Sequence, residues 1–397
     1  MKSIFSTFDL KDPKTSRPID LLGSMHILFD EATKKQKTLW EKMYVDQWFT
    51  IRPPQLGLTV ESIMASYGIR VRAALIGNDS DTPLRTSRGF ETWKGEIPRF
   101  GHKFKTTAKV LRDLMQVYEN NHINPEAKIR EIENVIFGEY KDAYLGCKDS
   151  VDEVILKALS GGGVALFDPA IDNPEGREYL MDFDMPVTNK RMAAVEWSEA
   201  NVNNATIDVL GEIQKIIYDY KHLGVEFDSM LMSPKIKYWI IRNIGIRQAV
   251  LGIDRGTRIV TNDELDTLMR SMGVPPIVEI NRRTAYQKDG VPEVFNPWND
   301  DVIAFLPRTA DGKIGEVQPS IGDDVLIPDP NVDYTDAGDG IRIAKWRQGE
   351  STGQQAAEFT QATWQAVPVP TVIRAIVNYK VRNIGVPYPS GETVPLG

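Results

Sequence analysis

The hydrophobic pattern is most regular near the middle of the chain, where it predicts one long helix. Asn124, Pro125 and Glu126 supply an N-cap, a first-turn proline and an acidic first-turn residue. Apolar residues then recur at steps of three and four, at Ile129, Ile132, Ile136, Tyr140, Ala143, Cys147, Val151, Val154 and Ala158. The glycines at 161–163 end the pattern, which predicts a strut of about 35 residues and roughly 50 Å. A coiled coil is the alternative, although the spacing does not keep a strict heptad.

The segments on either side of this helix predict shorter elements. An N-terminal arm with a short helix at 31–45 comes first, and a strand at 69–76 precedes the turn residues of GNDSD. After the glycines, VALFD at 164–168 predicts a strand, and a polar stretch follows to about Asn201.

The pattern beyond Asn201 predicts an α/β unit that extends to about residue 340. The predicted helices are at 205–224, after the strand that Ser233 and Pro234 close, and at 261–272. The predicted strands are at 230–232, and at 275–286 and 300–307 on either side of a turn at Asp289 and Gly290. A final strand at 367–382 follows this unit. A last strand that follows a separate α/β unit indicates a return to an earlier domain.

One stretch fits neither a buried strand nor an amphipathic helix. PLRTSRGFETWKGEIPRFGHKF, at 83–104, is basic and aromatic and forms part of a predicted out-and-back hairpin. A solvated surface hairpin is one interpretation. The other is a surface for a partner, because aromatic residues among arginines are typical of protein interfaces. The candidate contact residues are Arg85, Arg88, Phe90, Trp93, Arg99 and Phe100.

Composition narrows the class of protein. The 397 residues are 42% hydrophobic with a net charge of −8, which indicates a globular chain and argues against nucleic acid as the main ligand. The single cysteine, Cys147, allows no internal disulfide and fits a reducing compartment. The sequence predicts neither a signal peptide nor a membrane span.

No catalytic, cofactor-binding or metal-binding residues are predicted. His26, His102, His122 and His222 lie far apart in sequence, and the glycines at 161–163 follow a helix, whereas a phosphate loop follows a strand. The segment DPNVDYTDAGDG at 329–340 lacks the glycine and the glutamate of a calcium loop, which favours a solvated acidic loop over a loose cation site. Paired carboxylates such as Asp182 and Asp184 are too common here to identify a glycosidase pair.

The order of these elements resembles the major capsid proteins of tailed bacteriophages, in particular the lambda-type major head protein (phage capsid protein E) family. Four stretches carry the resemblance, which covers nearly the whole chain: SVDEVILKALSGGGVALFD at 150–168, the region VEWSEANVNNATIDVLGEIQKIIYDYKHLGVEFDSMLMSPKIKYWIIRN at 195–243, VPEVFNPWNDDVIAFLPRTADGKIGEV at 291–317, and VPVPTVIRAIVNYKV at 367–381.

The resemblance implies an α+β fold of the Hong Kong 97 (Johnson) type. In this fold the chain would divide into an N-terminal arm at 1–50, an extended E-loop at 51–105, a peripheral domain with the spine helix at 106–200, an axial domain at 201–344, and a return to the peripheral domain with a C-terminal tail at 345–397. The basic and aromatic stretch would lie in the E-loop, where a neighbouring subunit would supply its missing core.

The resemblance also implies a function. The chain would be a non-enzymatic major capsid protein that assembles into hexamers and pentamers of an icosahedral shell around double-stranded DNA. Its main partner would be itself; portal, scaffolding or decoration proteins are further candidates, DNA would be enclosed without sequence-specific binding, and neither a cofactor nor a membrane is expected. It would be found in the virion and, during assembly, in the host cytoplasm. The alternatives are an encapsulin-like cargo compartment and a soluble hydrolase with an unassigned carboxylate pair.

Overall fold

The computed structural model describes residues 43–65, 92–119, 125–174, 176–203, 207–252, 258–288, 291–349, 357–388 and 394–395. The predicted helix at 31–45 lies mostly, and the predicted strand at 69–76 entirely, outside these residues. The chain forms two compact units, each built from separate stretches of sequence. The first unit comprises Met1–Val60, Glu96–Asp152 and Val317–Pro368, and the second comprises Glu61–Gly95, Glu153–Glu316 and Val369–Gly397.

The longest element is a single α-helix that contributes residues to both units. Its bounds are Pro125–Ser160, which are the bounds that the sequence predicts. The predicted apolar positions from Tyr140 to Ala158 are buried along it. The helix ends in a Schellman motif, because Gly162 takes a positive φ and the Gly163 N–H donates to the Ala158 carbonyl at 2.9 Å.

The first unit combines one large sheet with helices. In chain order its elements are α1 (Tyr44–Trp48), β1 (Phe49–Ile51), β4 (Arg99–Thr107), α2 (Ala108–Glu119), most of the long helix α3 (Pro125–Ser160), β13 (Gly315–Ser320), α9 (Asp323–Leu326), β14 (Asp333–Asp336), β15 (Arg342–Gln348) and β16 (Ala357–Val369). The sheet has the order β1-β13-β16-β15-β14, and β4 also pairs with β16.

Strand register decides which side chains share a face of this sheet. β4 and β16 are antiparallel, with Arg99 opposite Gln365 and Lys103 opposite Gln361. β15 is antiparallel to the other edge of β16, with Trp346 opposite Phe359. Because side chains alternate along a strand, Arg99, Lys103 and Trp346 lie on one face.

The second unit carries a second large sheet and most of the remaining helices. Its elements are β5 (Val164–Phe167), β6 (Tyr179–Asp182), β7 (Lys190–Met192), α4 (Glu199–Asn203), α5 (Val209–His222), β8 (Phe227–Met232), α6 (Pro234–Arg242), α7 (Ile244–Leu251), α8 (Asn262–Ser271), β9 (Ile277–Glu279), β10 (Thr284–Lys288), β11 (Val291–Phe295), β12 (Val302–Pro307), β17 (Val377–Lys380) and β18 (Val394–Pro395). The order of the large sheet is β18-β7-β17-β12-β8-β9. Two further pairs, β5 with β6 and β10 with β11, are separate two-stranded sheets. Another two-stranded sheet joins β2 (Thr59–Ile63) to β3 (Thr92–Glu96).

Helix caps explain where the helices of the second unit begin. Asp208 accepts a hydrogen bond from the Gly211 N–H at the start of α5, and Ser233 caps α6, with Pro234 in its first turn. Thr261 and Glu264 form a reciprocal capping box at the start of α8. These helices begin at or close to the predicted positions.

Three local predictions are wrong. The polar stretch before Asn201 contains β6 and β7, which are short and partly exposed. The strand after the turn at 289–290 is β11, and β12 is a separate, fully buried strand in another sheet. The predicted final strand at 367–382 is interrupted by a short 3-10 helix, so that its two halves join different sheets.

The α+β class is confirmed. The described elements also include the expected long helix that glycines follow and, after it, the expected group of helices and strands.

Candidate interaction surface

The structure separates the six predicted contact residues. Arg85, Arg88 and Phe90 lie outside the described residues. Trp93 is only 5% exposed, its ring packs on Phe183 at 5.1 Å between centroids, and its indole N–H donates to the Asp182 carbonyl at 2.8 Å. The expectation that Trp93 is exposed on a segment without its own core is therefore wrong, since its own subunit covers it.

Arg99 and Phe100 open strand β4 and point to opposite sides of the sheet. Arg99 is exposed, whereas Phe100 is half-buried opposite Trp364. Arg99 shares its side with Lys103 and Lys105, which are also exposed. We call this side of β4, β16, β15 and β14 the cationic face.

Aromatic rings lie between the cations of this face. The Lys103 ammonium is 4.9 Å from the Phe359 ring centroid and 5.9 Å from that of Trp346, and these two rings stack at 5.6 Å. Arg342 lies over Tyr334, with its guanidinium carbon 4.3 Å from the ring centroid. Cation–π contacts fix the long side chains in place, so the face is preorganised.

The opposite side of the sheet faces α3 and buries charge. Lys345 is fully buried and its ammonium lies 3.2 Å from Glu139 Oε2. Thr360 donates to the same carboxylate oxygen at 2.9 Å, and Thr106 donates to the other at 2.5 Å. Burial lowers the pKa of Lys345, and the negative charge of Glu139 partly offsets this.

A second polar cluster holds the chain around α1 against α3. The buried Asp152 carboxylate accepts the backbone N–H groups of Tyr44 and Val45 at 2.8 and 2.6 Å. One turn away, the Lys148 ammonium contacts Asp46 at 2.9 Å and Asp339 at 3.0 Å. Burial alone would lower the pKa of Lys148, but Tyr144, Asp46 and Asp339 together raise it. The start of α1 is thus held against α3 by hydrogen bonds and ion pairs.

One glycine of α3 is required by close packing. The His102 ring lies so near Gly146 that an added Cβ would stand 2.2 Å from its Cε1 atom, and a ring nitrogen of His102 lies 2.8 Å from the Ala143 carbonyl oxygen. The sequence predicts a bend or a close approach at this glycine and at Gly138, and Gly146 has the close approach. At Gly138 an added Cβ would meet no described atom within 4 Å.

A cleft of about 410 Å³ lies at the Arg99 end of the cationic face. Its walls come from Pro54, Arg99, Asp324, Val325, Tyr334 and Gln365, all within the first unit. Asp324 is engaged by Arg342, with 3.5 Å between Nε and Oδ2. Gln365 is 6% exposed, and its side-chain oxygen has no hydrogen-bond donor among the described residues.

Apolar side chains continue the cleft outward. Val325, Leu326 and Ile327 are 47%, 55% and 83% exposed. Leu56, 70% exposed, follows Gln55, which pairs with Ser320 and accepts the Ile321 N–H at 2.8 Å. Exposed apolar side chains beside a polar cleft are typical of interaction sites.

Sequence reasoning missed most of this surface. The alternation of RFGHKFKTT at 99–107 was the available signal, because it places Arg99, Lys103 and Lys105 on one side and Phe100, His102 and Phe104 on the other. Gln365 carries no such signal, since an unpaired amide is recognised only after its neighbours are placed.

The described residues offer neither a metal-binding cluster nor a membrane-spanning helix. The described residues contain no cluster of three or more His, Cys, Asp and Glu side chains that could hold a metal ion. The acidic segment at 329–340 includes strand β14. No helix among these residues is both long and apolar enough to cross a bilayer.

Comparison by sequence finds no relative, whereas comparison by structure finds several similar folds. No protein-family model and no curated protein matches the chain. A protein described as a capsid protein of a prophage of E. coli CFT073 superposes with a TM-score of 0.49 at 11% identity, over 90% of this chain and 97% of the other. A phage-related protein from Bordetella bronchiseptica RB50 gives 0.46 at 10% identity, over 91% and 98%. The capsid of cyanophage A-1(L) gives 0.42 at 12% identity, over 88% and 94%. At these identities no residue role is transferred to this chain.

Proposed function

We propose that the chain is the major capsid protein of a tailed bacteriophage, a structural subunit that assembles with copies of itself into a closed shell around double-stranded DNA. The observation that carries this is α3, one uninterrupted helix of 36 residues that contributes to both compact units. The average globular helix has about 11–12 residues. A helix three times longer, followed by a group of helices and strands, suits a structural subunit that must stay rigid within an assembly.

The surface chemistry supports the same role. Arginine, lysine and aromatic side chains are fixed on the cationic face, and arginine and aromatic residues are the usual anchors of protein interfaces. Exposed aliphatic side chains lie beside the cleft. We propose no catalytic role for the chain, and no cofactor.

Ring sizes, domain boundaries, intersubunit contacts and further partners belong to the same proposal. Copies would form hexamers and pentamers, since head-to-tail contacts that close give rings. The domain boundaries at 50, 105, 200 and 344, and contacts of Arg85, Arg88, Phe90, Arg99 and Phe100 with a neighbouring subunit, stay predictions. Portal, scaffolding and decoration proteins are the further partners expected of a virion shell, with assembly in the host cytoplasm.

The experiment is the measurement of particle mass for the purified full-length chain. Size-exclusion chromatography with light scattering should give hexameric capsomers or megadalton particles, and negative-stain images should show closed shells. DNA within particles made during infection would distinguish a virion from a cargo compartment. A chain that remains a monomer at every concentration would refute the proposal.

A further inference from the structure

The cleft beside Arg99 combines three features that together indicate a binding site. It holds a nearly buried amide oxygen without a described donor, an exposed guanidinium, and an apolar rim. Buried acceptors are almost always hydrogen-bonded in native proteins, and each exception calls for an explanation. A binding partner that fills the cleft must therefore supply a donor to this oxygen.

We propose that this cleft is a docking site for a second copy of this chain, which donates a hydrogen bond to Gln365 and covers the apolar rim at Val325–Ile327. The inference rests on the proposed function, because it identifies where one subunit receives another.

Charge favours a second copy over nucleic acid. The cleft is lined by two guanidinium groups, Arg99 and Arg342, and by the carboxylates of Asp324 and Asp336, so its lining has no excess of positive charge. Binding of a phosphate backbone depends on such an excess. Another copy of this chain, with 55 acidic and 47 basic side chains, presents both signs of charge and can pair with both signs in the lining.

The apolar rim also favours a second copy over nucleic acid. Ile327 is 83% exposed, and a protein partner would remove this side chain from water, whereas DNA has no apolar surface of matching kind outside its grooves. The rim and the amide lie in one unit, so a single partner segment can reach both.

The test uses three variants of the full-length chain and sedimentation velocity over a range of concentrations. Gln365→Leu removes the acceptor and keeps the volume, so it should leave the melting temperature of the unassembled subunit equal or higher. It should nevertheless raise the concentration needed for self-association about tenfold. Ile327→Asp should raise it by about tenfold or more. Ile259→Asp, at a side chain 69% exposed in the second unit, is the matched control and should have no comparable effect.

The outcomes separate this inference from the proposed function. Wild-type shells together with unchanged association of Gln365→Leu and Ile327→Asp would overturn the docking site and leave the shell intact. Wild-type small oligomers that both variants disrupt would support the docking site and refute the shell. A wild-type monomer at all concentrations would refute both. Equal weakening by Ile259→Asp, or loss of binding to a 30-base-pair DNA duplex without loss of self-association, would also overturn the inference.

Discussion

The two compact units place their buried ion pairs differently. The second unit surrounds its large sheet with one continuous apolar cluster, which includes Ile213, Met230 and Phe305. The first unit also buries apolar side chains such as Val317 and Ile343, but it places ion pairs between α3 and the rest of that unit, at Lys345 with Glu139 and at Lys148 with Asp46 and Asp339. The ion pairs that Lys157 makes with Glu153 and Asp172 in the second unit lie beside strand β5 instead, where Lys157 also donates to the Leu166 carbonyl. Apolar packing tolerates small displacements, whereas a buried ion pair needs its partner in one position. The first unit is therefore the one in which the register of the helix against the sheet is specified by electrostatics.

This difference has a consequence for the cationic face. Its side chains alternate along the strands with those that contact the buried charges, so the polar core also positions the interaction surface. An ordered surface loses less conformational entropy on binding.

The largest effect is expected from placing a charge in the apolar core. Ile213→Asp would bury a carboxylate in the cluster of the second unit and should cost about 5 kcal/mol or more, enough to prevent folding. Ile213→Val, which only removes a methylene group, should cost about 1 kcal/mol. Circular dichroism and urea unfolding measure both. An Ile213→Asp protein that folds and unfolds cooperatively would show that the apolar cluster of the second unit tolerates a carboxylate.

Removing a charge from the polar core should be nearly as damaging. Lys345→Met leaves Glu139 without its cation near the fully buried Glu358, and should lower the free energy of unfolding by about 3–5 kcal/mol. Adding Glu139→Gln should recover part of that loss, because the unpaired charge is then gone. A Lys345→Met protein as stable as wild type in guanidinium unfolding would show that the pair of Lys345 and Glu139 does not stabilise the first unit.

Two glycines of α3 provide a matched pair of smaller effect. Gly146→Ala drives a Cβ into the His102 ring and should cost about 1–3 kcal/mol. Gly138→Ala meets no described atom and should instead stabilise the helix by about 0.5–1 kcal/mol. Thermal unfolding of both variants tests this, with His102→Ala expected to rescue Gly146→Ala. Equal effects at the two glycines would contradict the packing of β4 on α3.

The smallest effect at neutral pH concerns Cys147. Its thiol is 1% exposed, and burial, with a contribution from Asp149, raises its pKa from 9.0 to about 12. Between pH 9 and 12 the thiol keeps its proton in the folded state and loses it in the unfolded state. Ionisation of the unfolded state therefore lowers the free energy of unfolding as the pH rises from 9 towards 12, and it has no such effect below pH 9. Ellman's reagent at pH 8 should label Cys147 only as fast as the protein unfolds.

Cys147→Ala supplies the control for the alkaline range. The free energy of unfolding of wild type should fall relative to that of Cys147→Ala as the pH rises from 9 to 12. Rapid labelling of native protein, or a difference that is independent of pH, would show that the thiol is accessible in the folded state.

The sequence was most informative where a local signal repeats. The bounds of α3 follow from a proline at one end, three glycines at the other and an apolar period between them, and the caps at Ser233 and Thr261 define helices in the same way. These signals act within a few residues, so no knowledge of the fold is needed to interpret them.

The remaining features depend on neighbours distant in sequence. Trp93 looked exposed because its own strand is polar, but Phe183 and the Asp182 carbonyl, about ninety residues later, cover it. The ion pair between Lys345 and Glu139 joins positions 206 residues apart. The break in the final predicted strand is also a tertiary effect, since the two halves pair in different sheets.

Cryo-electron microscopy of the purified full-length chain would show whether its copies form a shell. We expect closed particles in which five- and six-fold rings of this chain are arranged with icosahedral symmetry, with density from one subunit in the Arg99 cleft of the next. A field of separate single subunits at concentrations well above those of assembly reactions would contradict it.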